Sequence, residues 1–153
     1  MIDPDRASLW LHRAGVVLVA FVLIFFKLLP IGPTAGDWPG PDLMLCLIFA
    51  LVVRRPDYLP IWLVLLVVLL EDLLLLRPPG LWAALVVLAS EFVRSRAALT
   101  RELSFWVEWV LIAGVMVGLL VAYRVAFAIT FLPQAGFGFA MMQVLWSILC
   151  YPL

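Results

Sequence analysis

The chain has 153 residues, of which 67% are apolar and 13% charged, with ten basic and ten acidic side chains and a formal net charge of zero. A soluble domain carries about 45–50% apolar and about 25% charged residues, and one of this size could not hide so many Leu, Val, Phe and Trp side chains in a single core. The balanced charge gives no electrostatic footprint for nucleic acid, and the composition is that of a polytopic membrane protein with lipid as its solvent.

Six hydrophobic segments follow one another, at about 14–29, 42–53, 58–76, 80–99, 103–131 and 137–153. The first is preceded by basic residues, as a signal peptide would be. It continues, however, into Pro30-Ile31-Gly32-Pro33 instead of a small-residue cleavage site, so it reads as a retained crossing. The connection from Ile31 to Pro41 is rich in Gly and Pro and contains no basic residue. It enters an unusually short second segment, with Pro41 in the favoured first-turn position and Asp42 beside the positive helix end. Even from Pro41 to Arg55 that segment rises only ~22 Å against a hydrocarbon core of ~30 Å. The connection is therefore expected to dip toward the membrane, lining a wet cavity open to the outer face.

Hydrocarbon offers no hydrogen-bond partners, so the segments must be helices or a closed barrel. The run Ile61-Trp62-Leu63-Val64-Leu65-Leu66-Val67-Val68-Leu69-Leu70 lacks the period-two polarity of a barrel strand. The expectation is an all-α, single-domain membrane bundle of about six transmembrane helices over residues 1–153. Arg6, Arg13, Arg54, Arg55, Arg94, Arg96 and Arg101 flank one set of helix ends, and only Lys27, Arg77 and Arg124 the other. The positive-inside rule then puts both termini in the cytoplasm. The last residues, Cys150-Tyr151-Pro152-Leu153, fall in mid-helix by pattern and suggest a native continuation.

Charges inside the spans are the informative positions, because each costs roughly 2.5–3.5 kcal/mol at the bilayer centre. Glu71 and Asp72 stand together in the third segment but point ~100° apart on a helix. They read as a polar anchor, a partner site or a proton relay, or as groups fixing the turn Arg77-Pro78-Pro79-Gly80 with Arg77 as counter-ion. Glu91 and Arg94 share a helix face, and an interior role is expected for Glu91. Glu108 lies between Trp106 and Trp109 in an interfacial setting. Gly114 and Gly118 have the spacing that lets a second helix approach closely.

The lone His12 has no companion ligands, and Cys46 and Cys150 sit in apolar runs as small packing residues. No phosphate loop, nucleophile–base arrangement or zinc motif is present, so neither enzymatic activity nor a cofactor is expected.

Pro41-Asp42-Leu43, the following apolar run and Arg54-Arg55-Pro56 resemble the second-helix signature of the rod shape-determining MreD proteins. Asp72-Leu73-Leu74 followed by Pro78 and Gly80 resembles that family's Asp-Leu-Leu…Pro-x-Gly element, with Leu75 and Leu76 where relatives often carry small residues. The resemblance implies a component of the bacterial elongation machinery in the inner membrane. Its direct partner would be the membrane-anchored MreC, and through it MreB, RodA and the transpeptidase partner of RodA. It also implies a six-helix arrangement similar to the substrate-binding subunits of vitamin transporters. The first functional expectation is a non-enzymatic scaffold that docks MreC in a groove beside the third and fourth helices. The alternative is a small-molecule-binding or transport subunit.

Overall fold

The computed structural model describes residues 4–29, 40–100, 105–130 and 136–152. Among these residues lie six helices and no strand: α1 (Pro4–Leu28), α2 (Leu43–Arg54), α3 (Ile61–Leu74), α4 (Leu81–Thr100), α5 (Phe105–Ile129) and α6 (Phe137–Cys150). The connection expected to dip toward the membrane lies, up to residue 39, outside the described residues. Two helical stretches, Ala7–Leu28 and Phe105–Ile129, are long and apolar enough to cross a membrane. By contrast α2, α3 and α6, with 12, 14 and 14 residues, rise only about 18–21 Å each.

The first helix starts at Pro4 and not near Ala14. Its opening turns mix charged residues with Leu9, Trp10 and Leu11, so a test for continuous apolarity misses them. Tertiary contacts hold this polar start. His12 stacks on Tyr58 with ring centroids 4.6 Å apart, and Arg13 donates to the Asp57 carbonyl at 3.1 Å.

Contacts at the helix ends fix the directions of the helices. The start of α1 meets the α2–α3 connection, whereas Lys27 in its last turn meets Asp42 at the start of α2 and Glu71 near the end of α3. Arg94, late in α4, donates to the Leu59 carbonyl at 2.7 Å, and Tyr151 after α6 donates to Glu108 early in α5 at 2.9 Å. Consecutive helices therefore alternate in direction, and the bundle has two chemically distinct ends.

The short α2 packs against α1, α4 and α6. It buries Met44, Leu45, Ile48, Phe49, Val52 and Val53, a wide apolar face set by spacings of three and four. Leu63, Val64, Val67 and Val68 of α3 and Ala83, Val86 and Val93 of α4 complete this core. The outward faces are apolar too: Leu18, Phe21, Phe25, Trp62, Leu66 and Leu88 are all exposed.

The turn after α3 is built from two left-handed positions. Leu76, at φ +53°, donates its N–H to the Leu73 carbonyl at 3.4 Å, and Arg77 donates to the Asp72 carbonyl at 3.0 Å, the Schellman pattern of a helix end. Glycine is the ordinary occupant of the first position; the Leu side chain here is 93% exposed, so nothing packs against it in return. Gly80, at φ +94°, turns the chain into α4. Leu76→Gly is expected to raise the thermal midpoint of the detergent-purified protein, equivalent to about 0.5–1 kcal/mol, and Gly80→Ala to lower it by about 1–2 kcal/mol. A fall with Leu76→Gly would refute the strain assignment.

Candidate functional site

At the end of the bundle formed by the end of α1 and the start of α2, Lys27 reaches two carboxylates. Its Nζ lies 2.9 Å from Asp42 Oδ1 and 2.5 Å from Glu71 Oε1. Each partner comes from a different helix. Lys27 occupies the last turn of α1, where a cation suits the negative helix end. Asp42 is the N-cap of α2, its Oδ1 also accepting from the Leu45 N–H at 3.4 Å. Glu71 is buried on α3.

A fourth helix joins through Asp42. The Asp42 backbone N–H donates to Ser147 Oγ at 2.7 Å, and that hydroxyl donates to the Gln143 carbonyl at 2.8 Å. Cys46 Sγ donates to the Ser147 carbonyl at 3.3 Å. Helices α1, α2, α3 and α6 are thus tied at one end by one amine, two carboxylates and one hydroxyl.

Asp72 points elsewhere, as the ~100° step between neighbouring helix residues requires. Its Oδ2 accepts the Ala83 N–H at 3.2 Å, in the first turn of α4. Gly80, just before α4, has no side chain with which to cap it, and Asp72 supplies the missing acceptor from the preceding helix. Asp72 Oδ1 is buried with no hydrogen-bond partner among the described residues.

Two expectations need correction. The ion-pair partner of Glu71 is Lys27 of the first helix, not Arg77 of the adjacent turn. Glu91 does not take an interior role: its side chain is 39% exposed and pairs along its own helix with Arg94 Nε at 3.3 Å. Arg94 is the more structural of the two, because it also holds the Leu59 carbonyl. Lys27, Ser147 and Gln143 are site residues that the sequence reading did not single out. A cation inside an apolar run, in a chain whose buried acids need one, was the available signal for Lys27.

Gly114 and Gly118 line a groove of about 620 Å³ between α4 and α5, with Leu88, Phe92, Val110 and Leu111 among its walls. A Cβ added at either glycine meets nothing within 4 Å, so among the described residues no other helix uses their small size.

A second, more enclosed cavity of about 420 Å³ opens beside Asp42. Its walls come from the α3–α4 turn (Leu76, Arg77, Pro78), Trp82 of α4, α5 and α6. Tyr123, Arg124, Gln143 and Ser147 bring polar groups to it; Met116, Leu120, Phe127 and Phe139 are apolar. The Arg124 guanidinium lies 5.2 Å from the Phe137 ring centroid.

Among the described residues no group of His, Cys, Asp or Glu could hold a metal ion. The polar contacts of Lys27, Asp42, Glu71, Asp72 and Ser147 serve to cap helices and to join one helix to another. None of them pairs a Ser or Cys nucleophile with a His base. Compared with family models, curated proteins and solved structures, the chain matches none.

Lys27→Met would leave two buried carboxylates with no cation between them, and is expected to cost about 3–5 kcal/mol of stability. Adding Asp42→Asn and Glu71→Gln to Lys27→Met recovers most of that loss. Equal thermal midpoints for the single and triple variants would contradict the triad. Asp72→Asn keeps an oxygen for the Ala83 N–H and stays within about 1 kcal/mol of the parent, whereas Asp72→Leu loses about 1–2 kcal/mol. Differential scanning of the purified variants separates the two.

Proposed function

We propose that this chain is a non-enzymatic, multi-pass scaffold of the bacterial inner membrane that works in cell elongation as MreD proteins do, docking the transmembrane anchor of MreC. The observation that carries the reading is the α4–α5 groove, whose two glycines admit a close helix that none of the described residues provides. Small residues at such spacing let helix backbones approach and gain packing and weak hydrogen bonds, which drive association where both solvent and surface are apolar. This reading takes the groove between α4 and α5 as the docking site, in place of the one expected from sequence beside the third and fourth helices.

Other features support the membrane part of this reading. Outward faces carry Leu, Phe and Trp on helix after helix, a surface that water would penalise at roughly 25 cal/mol per Å². By sequence, seven of the ten basic residues flank one set of segment ends, which by the positive-inside rule face the cytoplasm with both termini. In this reading the short helices cross as members of a bundle, which buries Glu71, a charge that an isolated helix in lipid could not carry. The motif residues behind the MreD resemblance, Asp42 and Asp72, have architectural tasks here, as caps of α2 and α4.

The second reading, a small-molecule-binding or transport subunit, is favoured by the cavity beside Asp42.

Filling the groove tests the first reading without disturbing the fold, because neither glycine is packed against its own chain. Gly114→Leu with Gly118→Leu is expected to cut co-purification of MreC at least tenfold. The thermal midpoint of the chain alone should hold or rise, since Leu is the better helix former by about 1 kcal/mol per site. Undiminished MreC recovery would sink the docking proposal.

A further inference from the structure

The charges around the cavity beside Asp42 are answered within the chain. Asp42 holds the Lys27 ammonium at 2.9 Å. Arg77 stands in the field of Glu71 and Asp72, and Arg124 lies over the Phe137 ring and has a further interaction within the chain. On and behind the cavity wall the cations Lys27, Arg77 and Arg124 thus stand against the carboxylates Asp42, Glu71 and Asp72, one for one. A charged ligand would give up its hydration here and find, among the described residues, no uncompensated charge to replace it.

Two neutral polar groups on the wall are uncommitted. The Gln143 amide and the Tyr123 hydroxyl both line the cavity and make no side-chain hydrogen bond among the described residues, whereas the Ser147 hydroxyl is already used twice. Amide and phenol can each donate and accept. Around them stand rings from three helices: Trp82 of α4, Tyr123 and Phe127 of α5, and Phe139 of α6. Trp82 meets Tyr123 edge-on with centroids 5.2 Å apart, and Tyr123 lies 4.5 Å from Phe127 at a tilt of 42°. Such a wall attracts a flat ring in offset or edge-on contact, beyond the gain from burying its area. A volume of about 420 Å³ is within the range of sites that enclose most of a small ligand. A plain hydrocarbon would cover the rings but leave the amide and the phenol dehydrated and unpaired. We infer that the cavity receives an uncharged aromatic molecule bearing a carbonyl or amide group, its ring against Trp82, Tyr123 and Phe127 and its polar group on Gln143 and Tyr123. This inference rests on the second reading, that the chain binds a small molecule, and is independent of what occupies the α4–α5 groove.

Equilibrium dialysis of the full chain in an uncharged detergent at neutral pH tests it with three probes of nearly one shape: 2-naphthamide, the 2-naphthoate anion and the 2-naphthylmethylammonium cation. Binding in the cavity is the part lost in Ala140→Trp, which fills it from α6, or in Leu120→Trp, which fills it from α5 should the first variant fail to fold. Subtracting either variant also removes partition of the probe into detergent. In the cavity, 2-naphthamide is expected to bind about tenfold or more tighter than either charged probe. Gln143→Leu and Tyr123→Phe keep the shape of the wall and are each expected to weaken 2-naphthamide roughly threefold or more. Cavity binding of either charged probe as tight as that of 2-naphthamide would overturn the inference while leaving a small-molecule pocket. Tight 2-naphthamide binding that neither Gln143→Leu nor Tyr123→Phe weakens would overturn the assignment of its polar group. Binding of all probes unchanged by the filling variants, or no binding at all, would overturn both the inference and the reading it rests on.

Discussion

The bundle depends on one amine. Lys27 Nζ lies between Asp42 and Glu71, and no other cation forms an ion pair with either carboxylate among the described residues. In a low-dielectric interior, two carboxylates without a cation would repel each other and each would lack its hydration, a penalty of several kcal/mol per ion. With Lys27 in place the same groups hold α1, α2 and α3 in one geometry. The constraint extends further, because Asp42 is also the N-cap of α2 and its N–H binds Ser147 of α6. Charge therefore ties α1 to α2 and α3, a neutral hydrogen bond ties α6 to α2, and apolar contact does most of the packing elsewhere.

The cavity follows from unequal helix lengths around that point. With 12 residues, α2 rises about 18 Å, whereas α5, with 25, rises about 37 Å. The cavity opens beside Asp42, at the start of the short helix α2. Asp42 lies at the edge of this space, the α3–α4 turn borders it, and α5 and α6 wall it. The residues that stop α2 from starting earlier, Pro41 and the capping Asp42, thus also set where the cavity begins. Asp72 keeps the neighbouring wall in place by capping α4 across a turn that includes two positive-φ residues.

Local features were legible in the sequence, and long-range pairings were not. Hydrophobic length gives six segments, and the described residues form six helices. The helical step of ~100° separates Glu71 from Asp72, and the two carboxylates indeed serve different neighbours. The capping position of Asp42 could be read from Pro41 and the apolar run that follows. What could not be read was the partner: Lys27 and Glu71 are 44 residues apart, and Asp42 and Ser147 are 105 apart. Nothing in one sequence ranks Lys27 above Arg77, which is nearer along the chain and equally charged. For Glu91 the nearby partner Arg94 could be read from the spacing of three, whereas the 39% exposure of its side chain could not. The start of α1 was missed because polar residues there are held by contacts with the α2–α3 connection, which hydropathy does not register.

One helix borders both candidate sites. On α5, Met116, Leu120, Tyr123 and Phe127 line the cavity, at spacings of four, three and four residues. Leu111, Gly114, Gly118 and Ala122 line the groove, at spacings of three, four and four. Gly114 and Met116 differ by two helical steps, about 200°, so the two sets lie on opposite faces. This explains why α5 is apolar nearly all round and has no polar stripe. It also constrains how the sites can influence each other. A helix docked in the groove and a ligand in the cavity would press on the same α5 from opposite sides. Any shift of α5 that one of them favours changes the affinity for the other, and the coupling must be equal in both directions. Neither occupant can act on the other unless it binds one position of α5 more tightly than another. The glycines make such movement inexpensive on the groove side, since none of the described side chains packs onto them.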